Sequence, residues 1–302
     1  MQSTRTSLNR FSSIFPITFL LVCSCLVSCE KDIDIKLDPA ETNLVVEATI
    51  ENDQPPLVLL TSSMDFFSKI DSIALKKAFV RKATVLVSDG TREVKLVEDS
   101  VVSREGARIY FYTTGLQDKS FVGKLNSSYK LTINNAGKIY SASTTIPSVT
   151  RRIDSVWWEK LPLSKDTNAA RVIIRATDKP GLGDFIRYFT KVNNGPFLPG
   201  LNSVYDDNII DGASYTIPVD KGIDRNLPFA DSLSFFKKGD TVTIKLSNID
   251  KQTYDFWRTY EFSLQSIGNP FSSPTRILSN ISNNALGYFG GYANQYRVIV
   301  LK

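Results

Sequence analysis

The chain has 302 residues, with 36 lysines and arginines, 31 aspartates and glutamates, three cysteines and no histidine. The missing histidine excludes Ser-His-Asp and Cys-His nucleophile pairs, histidine zinc sites and the usual general base near neutral pH. The formal charge of +5 is too balanced to indicate nucleic acid as a partner, particularly since Arg5 and Arg10 lie in an N-terminal leader.

Residues 1–28 are predicted to be the signal peptide of a lipoprotein. Arg5 and Arg10 give a basic start, and residues 11–28 are apolar on balance, which is the order typical of a secretory signal. A membrane-spanning helix is the alternative, but it needs about 20 predominantly apolar residues. Serines, a threonine and a proline interrupt this run, so a signal peptide is the favoured interpretation.

The segment Leu26–Cys29 resembles a bacterial lipobox, with an apolar residue, a tolerant position, a small residue and then a cysteine. The resemblance implies that Cys29 becomes the new N-terminus and carries a diacylglycerol on sulfur and an acyl chain, such as palmitate, on its amine. Two or three chains anchor a protein stably, since each buried methylene contributes about 0.8 kcal/mol. Residues 29–41 then form a lipidated tether. An ordinary cleaved signal with incidental cysteines is the alternative.

All three cysteines lie in or at the end of the leader, at Cys23, Cys25 and Cys29. The remaining chain can therefore form no disulfide, thiolate metal site or cysteine nucleophile. No cofactor is predicted apart from the covalent lipid. The acidic residues that follow Cys29 also resemble an export signal of surface-displayed lipoproteins, so we expect an outer-membrane location with possible display at the cell surface.

Residues 42–147 are predicted to form an N-terminal β-sandwich domain. Segments such as Leu44–Ile50 and Arg108–Tyr112 are rich in strand-forming residues, and Ser88–Thr91 is typical of a hairpin turn. Strands at this spacing with polar turns favour a sandwich of the immunoglobulin or fibronectin kind.

Residues 151–302 are predicted to form a second β-rich domain that carries one helix. Thr241–Leu246 alternates as a strand does, whereas Trp257, Tyr260 and Leu264 recur at helical spacing after Asp250, a suitable N-cap. The helix is expected near residues 250–267. The fold class is therefore all-β, with two sandwich-like domains divided at residues 147–151.

Four segments in this order are similar to a family of uncharacterised bacterial lipoproteins, the domain of unknown function 4249 family. They are Cys29–Asp34, Asn43–Glu47, Gly268–Phe271 and Ala285–Tyr292. The resemblance implies an outer-membrane lipoprotein that works beside a TonB-dependent receptor in uptake. The family has no settled activity, so the resemblance implies a cellular location and a partner protein rather than a mechanism.

Asp206, Asp207 and Asp211 form the densest acidic patch, with Asn208 between them. Calcium prefers several clustered oxygen ligands, so these residues are candidate calcium ligands. The spacing is not that of an EF-hand loop, and a hydrated turn between strands is the alternative.

Four aromatic residues are candidates for ligand binding: Trp158, Tyr288, Phe289 and Tyr292. The last three alternate with glycines that could let a partner approach the backbone. Packing in the core is the alternative. Trp257 is assigned to the core because it lies on the apolar side of the helix.

No catalytic residue is predicted. Two S-x-x-K matches, at Ser127–Lys130 and Ser234–Lys237, lie in strand or turn contexts that do not bring serine and lysine together. The favoured function is a binding or accessory lipoprotein beside a TonB-dependent receptor, not an enzyme. A carboxylate-dependent, glycan-active hydrolase and a structural or adhesive surface protein are the alternatives.

Overall fold

The computed structural model describes residues 42–64, 72–103, 106–115, 118–225, 235–267, 269, 271–273 and 275–302. The predicted signal peptide, the lipidation site Cys29 and the tether lie outside these residues. Residues Glu41–Lys302 belong to one compact unit. The all-β prediction is confirmed, because strands make up 51% of the chain and helices 9%.

The described strands follow one another along the chain with two helices between them. The strands are β1 (Leu44–Glu51), β2 (Leu57–Ser62), β3 (Thr84–Ser88), β4 (Glu93–Lys95), β5 (Val97–Val102), β6 (Arg108–Thr113), β7 (Ser127–Asn135), β8 (Lys138–Ile146), β9 (Arg152–Lys160), β10 (Ala169–Thr177), β11 (Phe185–Val192), β12 (Leu198–Tyr205), β13 (Ser214–Val219), β14 (Phe236–Lys237), β15 (Thr241–Ile249) and β16 (Leu286–Val300). The helices are α1 (Ser72–Ala78) and α2 (Lys251–Ser266).

The strands form three sheets. An eight-stranded sheet has the order β12-β11-β15-β16-β1-β2-β6-β5, and a four-stranded sheet has the order β4-β3-β7-β8. In the second four-stranded sheet, β10 pairs with β9, β13 and β14. All pairs of the described strands are antiparallel except β1 with β16, which is parallel.

The last strand, β16, joins the two halves of the chain. Its first part, residues 286–292, pairs with β1, and its second part, residues 292–300, pairs with β15. The eight-stranded sheet therefore takes strands from both sides of residues 147–151. Strands from the two predicted domains thus belong to one sheet, because a single 15-residue strand is long enough to border one strand from each half.

The two four-stranded sheets pack against the same face of the eight-stranded sheet. One core lies between β1 and β7 and includes Val46, Ala48 and Leu131. A second core lies between β10 and β15 and includes Val172 and Ile244. Side chains alternate along a strand, so the residues between these core positions face the other side of the large sheet.

Helix α2 lies on that other side and begins at the predicted N-cap. The Asp250 side chain accepts a hydrogen bond from the Thr253 amide at 2.8 Å, which satisfies a free N–H of the first turn. It also accepts one from the Thr144 hydroxyl at 2.7 Å, which connects the helix to β8. The helix predicted near residues 250–267 is confirmed. Neither of the helices among the described residues has the length and apolar character needed to cross a membrane.

Candidate functional site

An open cavity of about 610 Å³ lies between helix α2 and the face of the eight-stranded sheet that the small sheets leave uncovered. Its wall combines aromatic and charged side chains from β1, β11, β15, β16 and α2. The lining residues include Glu47 and Glu51 of β1, Arg187 and Phe189 of β11, and Trp257 and Tyr260 of α2. A concave, largely aromatic site with a few polar groups is the usual form of a small-molecule pocket.

The two-residue period of the strands explains how charged residues reach this wall. In β1, Val46, Ala48 and Ile50 are fully buried in the first core. Glu47 and Glu51 therefore point to the opposite face, where the cavity lies. Tyr288 and Tyr292 of β16 pair with Glu47 and Glu51 and lie on the same face. The wall is thus built from adjacent strands in one register.

Close approach of the β1 and β16 backbones requires a glycine at position 287. Gly287 has φ of +95°, a conformation that residues with side chains rarely adopt. A Cβ placed there would lie 1.9 Å from the Val46 carbonyl oxygen. Gly287 therefore fixes the parallel pairing that places Tyr288 beside Glu47.

Arg187 is the central charge of the site and is 3% exposed. Its Nε donates to the Ser203 hydroxyl at 3.1 Å, and its Nη1 donates to the Tyr292 hydroxyl at 3.3 Å. Its guanidinium carbon lies 3.3 Å from the centroid of the Trp257 ring. No carboxylate within the described residues forms an ion pair with it. The guanidinium is thus held by neutral groups alone.

Glu261 of α2 contacts Ser203, the residue that accepts a hydrogen bond from Arg187, and is 4% exposed. Its carboxylate accepts hydrogen bonds from the Ser203 amide at 2.9 Å and the Ser203 hydroxyl at 2.5 Å. It also pairs with Arg225 Nη2 at 2.6 Å. Since Ser203 in turn accepts from Arg187, the helix carboxylate orients Arg187 through one hydroxyl.

The Tyr292 hydroxyl lies at the centre of a second set of contacts. It accepts a hydrogen bond from Trp257 Nε1 at 3.0 Å as well as the one from Arg187. Burial raises the pKa of Tyr292, and burial raises the pKa of Tyr288 well above its ordinary value. Both phenols therefore stay neutral at physiological pH and serve as fixed dipoles on the wall.

The two glutamates of β1 differ in their surroundings. Glu51 pairs with Lys245 Nζ at 2.6 Å and accepts from Asn294 Nδ2 at 2.6 Å. Glu47 has no hydrogen-bond partner among the residues described and reaches solvent through the cavity. Protein nevertheless surrounds enough of it that burial raises its pKa, an effect that the positive charge of Arg187 partly offsets.

The four predicted aromatic residues lie in three different places. Tyr288 and Tyr292 line the cavity. Phe289 is 0% exposed and belongs to the first core, on the opposite face of β16. Trp158 lies on β9 against the second core and does not line the cavity.

Sequence reasoning missed Arg187 and Glu47 and assigned Trp257 to the core. Trp257 is half-buried and forms part of the cavity wall. The sequence does contain a signal for this site. Glu47 and Glu51 lie on the same face of β1, a strand that is otherwise mostly apolar. Arg187 likewise stands alone between apolar and aromatic residues of β11. A charge inside such a strand indicates that its face is not simple core.

The structure changes the membership of the predicted acidic site. Ligand atoms of Asp178, Asp207 and Asp211 lie within 4.8 Å of one another. Asp206 is separate, because its carboxylate accepts a hydrogen bond from the Tyr254 hydroxyl at 3.0 Å. The predicted set thus loses Asp206 from the cluster and gains Asp178, a residue 28 positions earlier in the chain than Asp206.

Two roles for these carboxylates are already visible in the fold. Asp207 accepts hydrogen bonds from the amides of Gly183 and Asp184, at 2.8 and 2.9 Å, and so holds the loop before β11. Asp178 forms an ion pair with Arg151 at 2.9 Å in which both side chains are 0% exposed. The cluster therefore organises a loop, and calcium binding by it stays a prediction.

Comparison with known proteins identifies a family. Residues 30–297 match the family described as domain of unknown function (DUF4249). No curated protein matches the chain. The matched range contains every cavity residue named above and most of the chain. The chain therefore belongs to the DUF4249 family.

Proposed function

We propose that this protein is a lipoprotein of the outer membrane, anchored through Cys29, whose cavity binds a small nutrient. It acts as a binding or accessory component beside a TonB-dependent receptor. The observation that carries the binding function is the cavity under α2, whose volume of about 610 Å³ lies within the range of about 300–1,000 Å³ common for small-molecule sites. The lipobox and the resemblance to uncharacterised lipoproteins support the anchor and the partner.

A carboxylate-dependent hydrolase is the second candidate, and Glu47 is the observation that favours it. A carboxyl group with a raised pKa in an aromatic cavity is suited to donate a proton. Glycoside hydrolysis needs a second free carboxylate about 5–9.5 Å away. Glu51 lies four residues along the strand, about 13 Å at the backbone, and is engaged by Lys245 and Asn294. Binding without turnover is therefore the better-supported function.

The binding function is tested by enrichment. The full chain, purified in detergent, is equilibrated with a protein digest and a polysaccharide hydrolysate, and retained compounds are identified by mass spectrometry. Thr49→Trp should abolish retention because Thr49 lines the cavity. Val101→Trp places the same ring on an exposed position of β5, and this variant should retain the same compounds as the wild-type protein does. Equal retention by both variants would contradict a binding cavity.

Turnover is tested on the same preparation. The polysaccharides are incubated with wild-type protein and with Glu47→Gln, and released sugars are measured. The proposal expects no release by either protein. Release that only the wild type produces would establish the hydrolase instead.

The anchor and the partner are tested in the native cell. Cys29→Ala should yield an unprocessed precursor without fatty acid, and wild type solubilised from outer membranes should recover a β-barrel receptor. Normal fatty-acid labelling of Cys29→Ala would refute the lipidation site. Repeated recovery of the wild-type protein alone would refute the receptor partnership.

A further inference from the structure

The charged residues of the cavity wall are five, and three of them are already neutralised. Lys245 and Glu51 form a closed pair at 2.6 Å. Arg225 is engaged by Glu261 at 2.6 Å. Within the described wall this leaves one cation, Arg187, and one carboxyl group, Glu47, without an ionic partner.

Arg187 is prepared to receive an anion. Buried charges in proteins are ordinarily paired, because removal from water is costly. Its Nε and Nη1 are held by Ser203 and Tyr292, but its Nη2 makes no hydrogen bond with any described residue. A guanidinium presents a planar fork that matches the two oxygens of a carboxylate. Stacking on Trp257 fixes the plane of that fork.

Glu47 provides the opposite charge on the same wall. Its position on β1 is exposed to the cavity and it does not form an ion pair with Arg187. The cavity wall therefore offers a cation and a carboxyl group, each without an ionic partner among the described residues. Glu47 accepts hydrogen bonds when ionised, and an ammonium group offers three donors.

We propose that the cavity binds a zwitterion of the amino-acid or dipeptide class, with its carboxylate on Arg187 and its ammonium group on Glu47. The apolar part of the ligand packs against Phe189, Phe197 and Tyr260, which line the same cavity. An acidic sugar would satisfy Arg187 but would offer Glu47 only neutral hydroxyls, so the zwitterion is favoured. This inference rests on the proposed binding function and names its ligand class.

The test is calorimetric titration of the full chain in detergent with L-phenylalanine and with the dipeptide L-phenylalanyl-L-alanine. Each probe is compared with its N-acetyl derivative, which lacks the ammonium group, and its C-terminal amide, which lacks the carboxylate. The proposal expects at least one free zwitterion to bind at least tenfold more tightly than both of its derivatives. Equal binding of free and N-acetyl forms would overturn it.

Glu47→Gln supplies the matched variant, since an exposed side chain is changed without loss of volume. It should weaken binding of the free probe at least tenfold and leave the weak binding of the N-acetyl form unchanged. Asp255→Asn, a similar change on the exposed side of α2, should bind as wild type does. Equal loss for both probe forms in Glu47→Gln would refute the ammonium contact.

Glucuronate carries a carboxylate but no ammonium group. Its binding therefore distinguishes failure of this inference from failure of the proposed binding function. Binding of glucuronate that Thr49→Trp abolishes, with no binding of either zwitterion, would overturn the inference and retain a nutrient-binding cavity. If neither probe binds and no compound from either mixture is retained, both the inference and the proposed function fail.

Discussion

The guanidinium carbon of Arg187 lies 3.3 Å from the centroid of the Trp257 ring, and both side chains donate to the hydroxyl of Tyr292. This three-residue contact joins β11, α2 and β16 at the back of the cavity. It supplies a buried cation with a π face and a neutral acceptor in place of a carboxylate. The positive charge is thereby kept available to the cavity.

Trp257→Leu tests this contact. The change removes the cation–π interaction, the hydrogen bond to Tyr292 and part of the packing, so we expect it to lower the free energy of unfolding by about 2–4 kcal/mol. Urea unfolding measures this loss, and retention of ligand should fall with it. Trp158→Leu is the control, since Trp158 is half-buried but lies outside the cavity. Loss of ligand by the control alone would place the binding site elsewhere.

Glu261→Leu tests the support behind Arg187. It leaves Arg225 without its carboxylate partner and the Ser203 amide without its acceptor, so the free energy of unfolding should fall by about 2–4 kcal/mol. Asp255→Asn on the same helix removes an exposed pair with Lys251 and should change stability by less than about 0.5 kcal/mol. Equal effects of the two changes in urea unfolding would show that the buried network does not hold the helix.

Gly287→Ala tests the close approach of β1 and β16. Gly90 also has a positive φ, of +87°, but a Cβ added to it would meet no atom within 4 Å. Gly90→Ala should therefore cost only the backbone strain, about 1–2 kcal/mol. Gly287→Ala adds a collision with Val46 and should cost about 2–5 kcal/mol. Comparable thermal unfolding of the two variants would contradict the described strand pairing.

The pH dependence of stability tests the environment of Glu47. An acid whose pKa is raised by folding stabilises the folded state below its ordinary pKa of 4.5, and this contribution is lost as the pH rises through the raised value. Tyr288 pairs with Glu47, and it stays neutral in this range because burial raises its pKa well above the ordinary value. Glu47→Gln should therefore gain stability relative to wild type as the pH rises from about 4 to 7. Thermal unfolding of both proteins across that range measures the difference. A difference that is constant or falls with pH would contradict a raised pKa of Glu47.

Local sequence patterns predicted many of the strands and helix α2, but not the short helix α1. The period-two run Thr241–Leu246 lies in β15, and Asp250 caps α2 because its side chain can reach the free Thr253 amide. Tyr288 and Tyr292, which are predicted as ligand-binding residues from their pattern with glycines, line the cavity, and ligand binding by them stays a prediction. Such features depend on residues close together in the chain, so one sequence contains them.

The register between distant strands could not be predicted in this way. Glu47 lies beside Tyr288 only because β1 and β16 pair in parallel across some 240 residues. Arg187 and Trp257 meet because α2 packs on the face of the eight-stranded sheet to which the Arg187 side chain of β11 points. Phe289 lies in the first core and Tyr288 lines the cavity, although the two residues are adjacent in the chain. Successive side chains of a strand point to opposite faces, so an error of one position in the register exchanges the two roles.

The central claim is that a ligand occupies the cavity between Arg187 and Glu47. The most direct measurement is a crystal structure of the full chain equilibrated with the compound that it retains most strongly. We predict difference density between the Arg187 guanidinium and the Glu47 carboxylate, bordered by Phe189 and Tyr260. Ligand density found only at another place on the protein, with this cavity filled by water, would contradict the account.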